Sequence, residues 1–171
     1  YICDITYENS CQFVEKQKGK FPNLQLKAVL YTELAEISGQ TDIIVTCTRA
    51  REFFIDKQWI KAGTHINAIG ADMPGKQEIE PELLAHIKLF GDSRTQVLQK
   101  GECQHAARLG MISADDIAEI GEVLEGIKPG RGSEDDITLF DATGMAIQDL
   151  IVSAHLLDKA KKLNIGLEVE F

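Results

Sequence analysis

Short apolar runs alternate with amphipathic stretches along the whole chain. Six runs of five or six residues predict β-strands. They cover residues 1–5, 24–29, 42–47, 64–69, 88–92 and 137–141. Stretches with apolar side chains at helical spacing predict helices. They cover residues 7–18, 32–37, 53–60, 81–88, 93–109, 117–127 and 144–163. Because strands and helices alternate, the pattern predicts an α/β fold with a parallel sheet and helices on both faces.

Some of these elements carry more specific expectations. The run 42–47 is apolar on both faces, which is typical of a buried parallel strand. The long stretch 144–163 has apolar residues spaced for one buried helix face. We expect a helical turn at 53–60 that buries Trp59, and a break in the helix 93–109 at Gly101. The alternating tail 165–171 allows an edge strand.

The turn at residues 70–78 (GADMPGKQE) is the first candidate for chemistry. It follows the predicted strand 64–69 and precedes a helix that has Pro81 in its first turn. In open α/β sheets, ligands bind beyond the carboxyl ends of the strands, and this places Asp72 at that edge. The alternative is a turn aspartate that satisfies backbone N–H groups.

Composition narrows the possible partners. The formal net charge is −9 and no Lys/Arg cluster stands out, which argues against nucleic acid. No apolar run approaches the roughly 18 residues of a membrane span, and 171 residues suit one domain. Four scattered cysteines predict reduced thiols and a cytoplasmic location. Cys103 and His105 lack a second pair, so we expect no metal site.

Three segments together resemble one family. They are residues 42–48 (DIIVTCT), 59–78 (WIKAGTHINAIGADMPGKQE) and 137–149 (ITLFDATGMAIQD). At this spacing they resemble the ornithine cyclodeaminase/mu-crystallin family, in register over nearly the whole chain. The resemblance implies an NAD(P)-dependent enzyme that transfers hydride between nicotinamide and the α-carbon of an amino or imino acid. Ornithine cyclodeaminase, alanine dehydrogenase and ketimine reductase activities are all open, as is a non-catalytic, mu-crystallin-like protein that binds a nucleotide or small ligand.

The resemblance also implies roles for individual residues. Asp72 matches the catalytic aspartate, which contacts cofactor and substrate and exchanges protons with the substrate nitrogen or with water. A carboxylate beside the nicotinamide can do both if burial raises its pKa towards the working pH. Thr48 matches a cofactor-binding threonine, although a loop hydroxyl bonded to its own backbone is the alternative. Ala142 and Thr143 match positions that border substrate and nicotinamide.

Asp4 ends the first predicted strand, where dinucleotide-binding folds place an acid on the adenosine ribose. An aspartate there favours NAD over NADP, because it repels a 2′-phosphate. A helix cap is the alternative. We expect Asp141 to be structural and Lys76 to stabilise the turn, and we assign no function to Glu102 or His105.

The resemblance implies a Rossmann-like, doubly wound parallel sheet that lacks its first strand and its Gly-rich turn. It also implies that residues 1–150 form part of the NAD(P)-binding domain. On the same ground, we expect residues 151–171 to pack towards an N-terminal dimerisation and substrate domain. We expect a full-length homodimer that acts on a small amino or imino acid, with no membrane partner.

Overall fold

Strands and helices alternate along the chain in the computed structural model, which describes residues 1–167 and 169. The strands are β1 (Ile2–Cys3), β2 (Ala28–Val29), β3 (Ile43–Thr46), β4 (His65–Ala68), β5 (Lys88–Gly91), β6 (Ile117–Glu119) and β7 (Thr138–Asp141). The α-helices are α1 (Tyr7–Lys18), α2 (Leu34–Gln40), α3 (Pro81–Leu84), α4 (Arg94–Gln99), α5 (Gln104–Arg108), α6 (Ile120–Leu124) and α7 (Ala146–Leu163). Single 3₁₀ turns lie at Tyr31–Glu33, Lys57–Trp59 and Ala114–Asp116. The predicted α/β alternation is confirmed.

Five strands form one parallel sheet in the order β3-β4-β7-β5-β6, while β1 and β2 pair in parallel as a separate two-stranded sheet. The last strand of the large sheet, β7, lies between β4 and β5. Asp141 at its end is therefore in register with Ala68 on one side and Gly91 on the other. The loops that follow β3, β4, β7 and β5 consequently meet at one edge of a Rossmann-like sheet.

The hydrophobic core lies on one face of this sheet. Alternate residues of the central strands point into it, among them Ile66 and Leu139, and helices α3 to α5 cover them. The opposite face carries His65, Asn67 and Phe140, which are half-buried. The His65 ring and the Thr138 hydroxyl lie within hydrogen-bonding distance there, at 2.7 Å. Because side chains alternate along a strand, one face of the sheet packs in the hydrophobic core, and the other face carries both polar and apolar side chains.

The prediction that 42–47 is buried on both faces is wrong. Side chains of β3 are 61% exposed at Ile43 and 59% exposed at Val45. Within the described residues, β3 is the edge strand of the large sheet and pairs only with β4. Strands β1 and β2 are also shorter than the predicted runs 1–5 and 24–29.

The predicted helix 117–127 begins instead as a strand. Ile117 is fully buried and pairs with Leu89, so the first three residues extend the sheet as β6 before α6 begins. The predicted break at Gly101 is confirmed, because α4 ends at Gln99 and α5 begins at Gln104. Trp59 is half-buried, not buried as predicted.

Helix α7 also departs from its prediction. None of its residues, all of which are described, is buried. Its apolar side chains are about half exposed or more, and they lie at Ile147, Leu150, Ile151, Val152, Leu156, Leu157 and Leu163. The helix therefore lies outside the core that α3 to α5 form against the sheet. In the tail, residues 165–167 and 169 are not in a strand, and the rest of the predicted edge strand, at 168, 170 and 171, lies outside the described residues. No helix in the described part of the chain has the length and apolar character needed to cross a bilayer.

Candidate functional site

A cavity of about 280 Å³ lies at the carboxyl edge of the sheet. Asp72 reaches it from the turn after β4, and Ala142 and Thr143 reach it from the turn after the neighbouring strand β7. Its remaining lining residues are Ile69, Asp92, Phe140, Gly144 and Gln148. Three residues that the sequence predicted for substrate contact are thus brought together, because parallel strands end at the same side of the sheet.

The Asp72 carboxylate is paired with a cation of its own turn. Lys76 Nζ donates to Asp72 Oδ1 at 2.7 Å and to the Gly70 carbonyl at 2.9 Å. The Asp72 side chain is 51% exposed. The hydrogen bond from Lys76 lowers the pKa of Asp72, which outweighs the opposing effect of partial burial. The condition that burial raises this pKa is therefore not met, whereas the expected role of Lys76 in stabilising the turn is confirmed.

Asp92 is a site residue that the sequence interpretation missed. Its carboxylate accepts hydrogen bonds from Thr143 N at 2.8 Å, Thr143 Oγ1 at 2.9 Å and Gly144 N at 2.9 Å. Gly144 has φ +76°, a left-handed conformation that favours glycine. Asp92 therefore holds the turn after β7 against the end of β5. An acid directly after an apolar strand was the available signal, as it was for Asp4.

Asp4 is not among the described residues that line the cavity. Its Oδ1 accepts from Thr6 N at 2.8 Å and from Asn9 Nδ2 at 3.1 Å, at the start of α1. Neither donor is a backbone N–H of α1, whose N-cap residue is Thr6, so this is not the helix cap that the sequence left open as the alternative. The ribose role of Asp4 stays a prediction.

Thr48 also lies outside the cavity lining among the described residues. Its Oγ1 accepts from Ala50 N at 3.1 Å, which is the local backbone contact that had been left open for it. Its own backbone N–H donates to Glu78 Oε1 at 2.6 Å. The cofactor role of Thr48 stays a prediction.

The region from Glu102 to His105, to which no function was assigned, contacts the Asp72 turn directly. Glu102 Oε1 accepts from Glu78 N at 2.9 Å and from Ile79 N at 2.7 Å. Gln104 Oε1 accepts from Gly75 N at 2.8 Å, and His105 Nε2 lies 3.1 Å from the Lys76 carbonyl. These contacts join residues 23 to 29 positions apart, a separation at which sequence patterns give no signal.

Two acids below the turn are buried and hold raised pKa values. Burial raises the pKa of Glu102 to about 8, against the effect of the hydrogen bonds from Glu78 N and Ile79 N. Burial likewise raises the pKa of Asp141 to about 7, although it accepts from Cys103 N at 3.0 Å. Burial also raises the pKa of the Cys103 thiol. The contacts of Asp141 agree with its expected structural role.

Comparison with known proteins connects this site to a family. A family model described as the ornithine cyclodeaminase/mu-crystallin family matches residues 1–164. An alanine dehydrogenase of Archaeoglobus fulgidus is 43% identical over 138 residues, which are 80% of this chain and 43% of that protein.

Two solved structures share the fold at similar identity. The iminosuccinate reductase of Paracoccus denitrificans, in complex with NAD⁺, has a TM-score of 0.84 and 36% identity, covering 94% of this chain and 48% of that one. The Δ(1)-pyrroline-2-carboxylate reductase of Thermococcus litoralis, in complex with NADH and L-proline, has a TM-score of 0.90 and 32% identity, covering 98% and 51%. The chain thus spans about half the length of these relatives. Because the family model covers nearly all of its residues, the chain belongs to the ornithine cyclodeaminase/mu-crystallin family.

Proposed function

We propose that the full-length protein is an NAD-dependent oxidoreductase that transfers hydride between nicotinamide and the α-carbon of an amino or imino acid. The observation that carries this proposal is the placement of Asp72. Its carboxylate lines one cavity with Ala142 and Thr143 at the carboxyl edge of a Rossmann-like sheet. The similar enzymes of known structure act on imino acids or their amino-acid products with NAD⁺ or NADH bound.

The residues present fit a dinucleotide. Both hydrogen bonds to Asp4 use Oδ1, so Oδ2 of the same carboxylate can accept from a ribose hydroxyl. The Thr48 hydroxyl accepts from Ala50 N, which leaves its own hydrogen free to donate. An aspartate at the end of β1 disfavours the 2′-phosphate of NADP, so we propose NAD as the cofactor.

In this proposal the bound cofactor supplies or takes the hydride, and Asp72 moves the proton. The pKa of Asp72 is lowered by Lys76, so its carboxylate is ionised at neutral pH and can accept a proton from the substrate nitrogen when an amine is oxidised. When an imine is reduced, the carboxylate first takes up a proton from solvent and then passes it to the nitrogen. Asp92 keeps Thr143 in place through two bonds, which fixes the cavity wall opposite Asp72.

The proposal extends to the organisation of the full-length protein. Residues 1–150 form part of the nucleotide-binding domain, and residues 151–171, which include most of α7, pack against the remaining part of a homodimeric enzyme. The half-length coverage of the relatives and the exposed apolar side chains of α7 support this division. We propose a small amino or imino acid as substrate, with reduction of a ketimine or imino acid, alanine dehydrogenation and ornithine cyclisation as the candidate reactions.

The test is Asp72→Asn in the full-length protein. Wild-type protein is assayed with NADH and pyruvate plus ammonia, iminosuccinate or pyrroline-2-carboxylate, and with NAD⁺ and ornithine, with NADPH as the comparison reductant. Loss of the proton-transfer group should lower kcat by about 10²–10⁴-fold on the accepted substrate, while NADH affinity stays nearly unchanged.

Asp115→Asn is the matched control, because Asp115 is an exposed carboxylate on a separate 3₁₀ turn. It should leave both kcat and NADH affinity at wild-type values. Unchanged turnover in Asp72→Asn would reject the role of Asp72. NADH binding without turnover of any candidate substrate would instead favour a mu-crystallin-like binding protein.

A further inference from the structure

Three carboxyl groups are buried beneath the Asp72 turn and form a chain of contacts. They belong to Glu78, Glu102 and Asp141, and each is at most 1% exposed. Asp141 at the end of β7 accepts from Cys103 N, and the adjacent Glu102 accepts from the backbone of Glu78. The proposed chemistry uses none of the three directly. Their contacts nevertheless run from the end of β7 to the loop after β3.

Glu78 completes this chain by joining two loops of the site edge. Its Oε1 accepts from Thr48 N at 2.6 Å, in the loop after β3. Its Oε2 accepts from Gly70 N at 3.0 Å, two residues before Asp72 in the loop after β4. One carboxylate therefore ties the proposed cofactor loop to the proposed catalytic loop, with one oxygen for each.

Two glycines make room for the buried carboxyls. A Cβ at Gly70 would lie 2.4 Å from the Glu78 carboxylate, and a Cβ at Gly101 would lie 2.5 Å from Asp141 Oδ2. Contacts this short do not occur between non-bonded atoms, so both acids need glycine beside them. Within the described residues, no group of three or more His, Cys, Asp or Glu side chains could hold a metal ion, so a cation does not explain the cluster.

The backbone of Glu78 is held as firmly as its side chain. Its N–H is bonded to Glu102, and its carbonyl accepts from Phe54 N at 2.9 Å and Ile55 N at 3.0 Å. The main chain that carries the Glu78 carboxylate is thus fixed by hydrogen bonds at both its N–H and its carbonyl. An anchored acid that accepts from two different loops keeps them at a set separation, because a charge-assisted hydrogen bond to a backbone N–H is short and directional.

We propose that Glu78 is a positioning residue that sets the distance between the Thr48 loop, which is proposed to contact the cofactor, and the Asp72 carboxylate, by holding the Thr48 and Gly70 loops together. This inference rests on the proposed function. A shift of about 1 Å between reacting groups can cost about 10²-fold in rate, which is the scale on which such a contact matters.

The experiment uses Glu78→Gln and Glu78→Ala in the full-length protein, with Glu80→Gln as matched control. Glu80 lies two residues away, and its carboxylate accepts from Lys57 N at 2.9 Å, in a segment that does not line the cavity among the described residues. Glutamine keeps one acceptor and loses the other, so we expect kcat to fall about tenfold in Glu78→Gln and about 10²-fold in Glu78→Ala.

Further readouts distinguish positioning from simple stabilisation. The primary isotope effect with NADH deuterated at C4 should rise in Glu78→Gln, because misplaced groups slow the hydride transfer itself. Activity is measured at 10 °C and normalised to folded protein, so that lower stability alone cannot reduce kcat. Glu80→Gln should retain wild-type kcat and isotope effect. Equal kcat and isotope effects in Glu78→Gln and Glu80→Gln would overturn the proposal.

A second measurement does not depend on any variant folding. Amide hydrogen exchange of the wild-type protein should show protection at Thr48 that is lost only together with protection at Gly70, although the Thr48 side chain is exposed. Rapid exchange at Thr48 would overturn the proposal. If wild-type protein turns over no candidate substrate, the proposed oxidoreductase function fails, whereas the exchange result still decides whether Glu78 joins the two loops.

Discussion

The Asp72 turn and helix α7 both have clear sequence patterns, yet the turn is held by buried contacts whereas α7 is exposed. The turn is held by buried polar contacts, among them those of Glu78 and Glu102 with backbone N–H groups. Helix α7 is three times longer than most of the other helices, yet none of its residues is buried. The two regions thus differ in the number of buried contacts they make, and the length of the sequence pattern does not predict this difference.

The difference shows what each kind of pattern can specify. A buried carboxylate must be satisfied by particular N–H groups, so its contacts select one arrangement of the surrounding loops. An apolar helix face can be buried against any complementary apolar surface, so the periodicity of the helix does not identify the surface against which it packs. The contacts that fix the conformation of the turn therefore lie within this chain, whereas the chain does not specify a packing surface for α7. Three substitutions and one control sharpen or break this contrast.

The largest effect on stability is expected for Gly70→Ala. The added Cβ would lie 2.4 Å from the Glu78 carboxylate and would force it away from the Gly70 and Thr48 amides. Overpacking and a lost buried hydrogen bond each cost about 1–3 kcal/mol, so the free energy of unfolding should fall by roughly 4 kcal/mol. Urea denaturation of this chain measures it.

Gly121→Ala is the control for the chemical change itself. Gly121 lies in α6, and no heavy atom outside its own helical backbone lies within 4 Å of the position that a Cβ would take, so alanine fits without displacement. Its effect should be neutral or stabilising by up to about 1 kcal/mol. Equal effects of the two substitutions would show that the Gly70 contact is not present in solution.

The next effect is a pH dependence carried by Glu102. Its pKa is raised by burial from 4.5 to about 8, so between these values the folded chain holds a proton that the unfolded chain has released. Stability from this group is therefore greatest below pH 4.5 and declines as the pH rises through 8. Between pH 5 and pH 8 the loss is on the order of 3 kcal/mol, and Asp141 acts in the same direction.

Glu102→Gln removes this titration and keeps an oxygen that can accept from Glu78 N and Ile79 N. We expect its free energy of unfolding to decline less than that of the wild type from pH 5 to pH 8. Because the other groups are present in both proteins, the difference between the two curves reports Glu102 together with its charge interactions with Asp141 and Glu78. Parallel curves would contradict a buried, protonated Glu102.

The smallest effect is expected in α7. Leu157 is 56% exposed, so Leu157→Gln should change the free energy of unfolding of this chain by less than about 0.5 kcal/mol. Thermal or urea denaturation measures this against Gly70→Ala. A loss as large as that of Gly70→Ala would show that α7 is packed. The same substitution in the full-length protein should be more costly if α7 contacts the rest of the enzyme, as proposed.

Part of the candidate site was anticipated from the sequence. Asp72 follows an apolar strand, and the family resemblance pointed to Ala142 and Thr143. The structure brings the three residues to one cavity because the strands of a parallel sheet end on the same side. The state of Asp72 could not be anticipated, because whether Lys76 or burial governs its pKa depends on the side-chain geometry of the turn. The contacts of Asp92 and Glu78 could not be anticipated either, because their partners are distant in sequence, although the position of Asp92 directly after an apolar strand was a local signal.

The amino-acid sequence by itself determined the alternation of strands and helices, the turn that carries Asp72 and the break at Gly101. These follow from periodicity and from the conformational preferences of glycine and proline, which act over a few residues. Only the tertiary structure decided the insertion of β7 between β4 and β5, the exposure of β3 and α7, and the burial of three carboxyl groups below the site. Each of these depends on which distant segments become neighbours, and burial and hydrogen-bond partners exist only once those neighbours are in place.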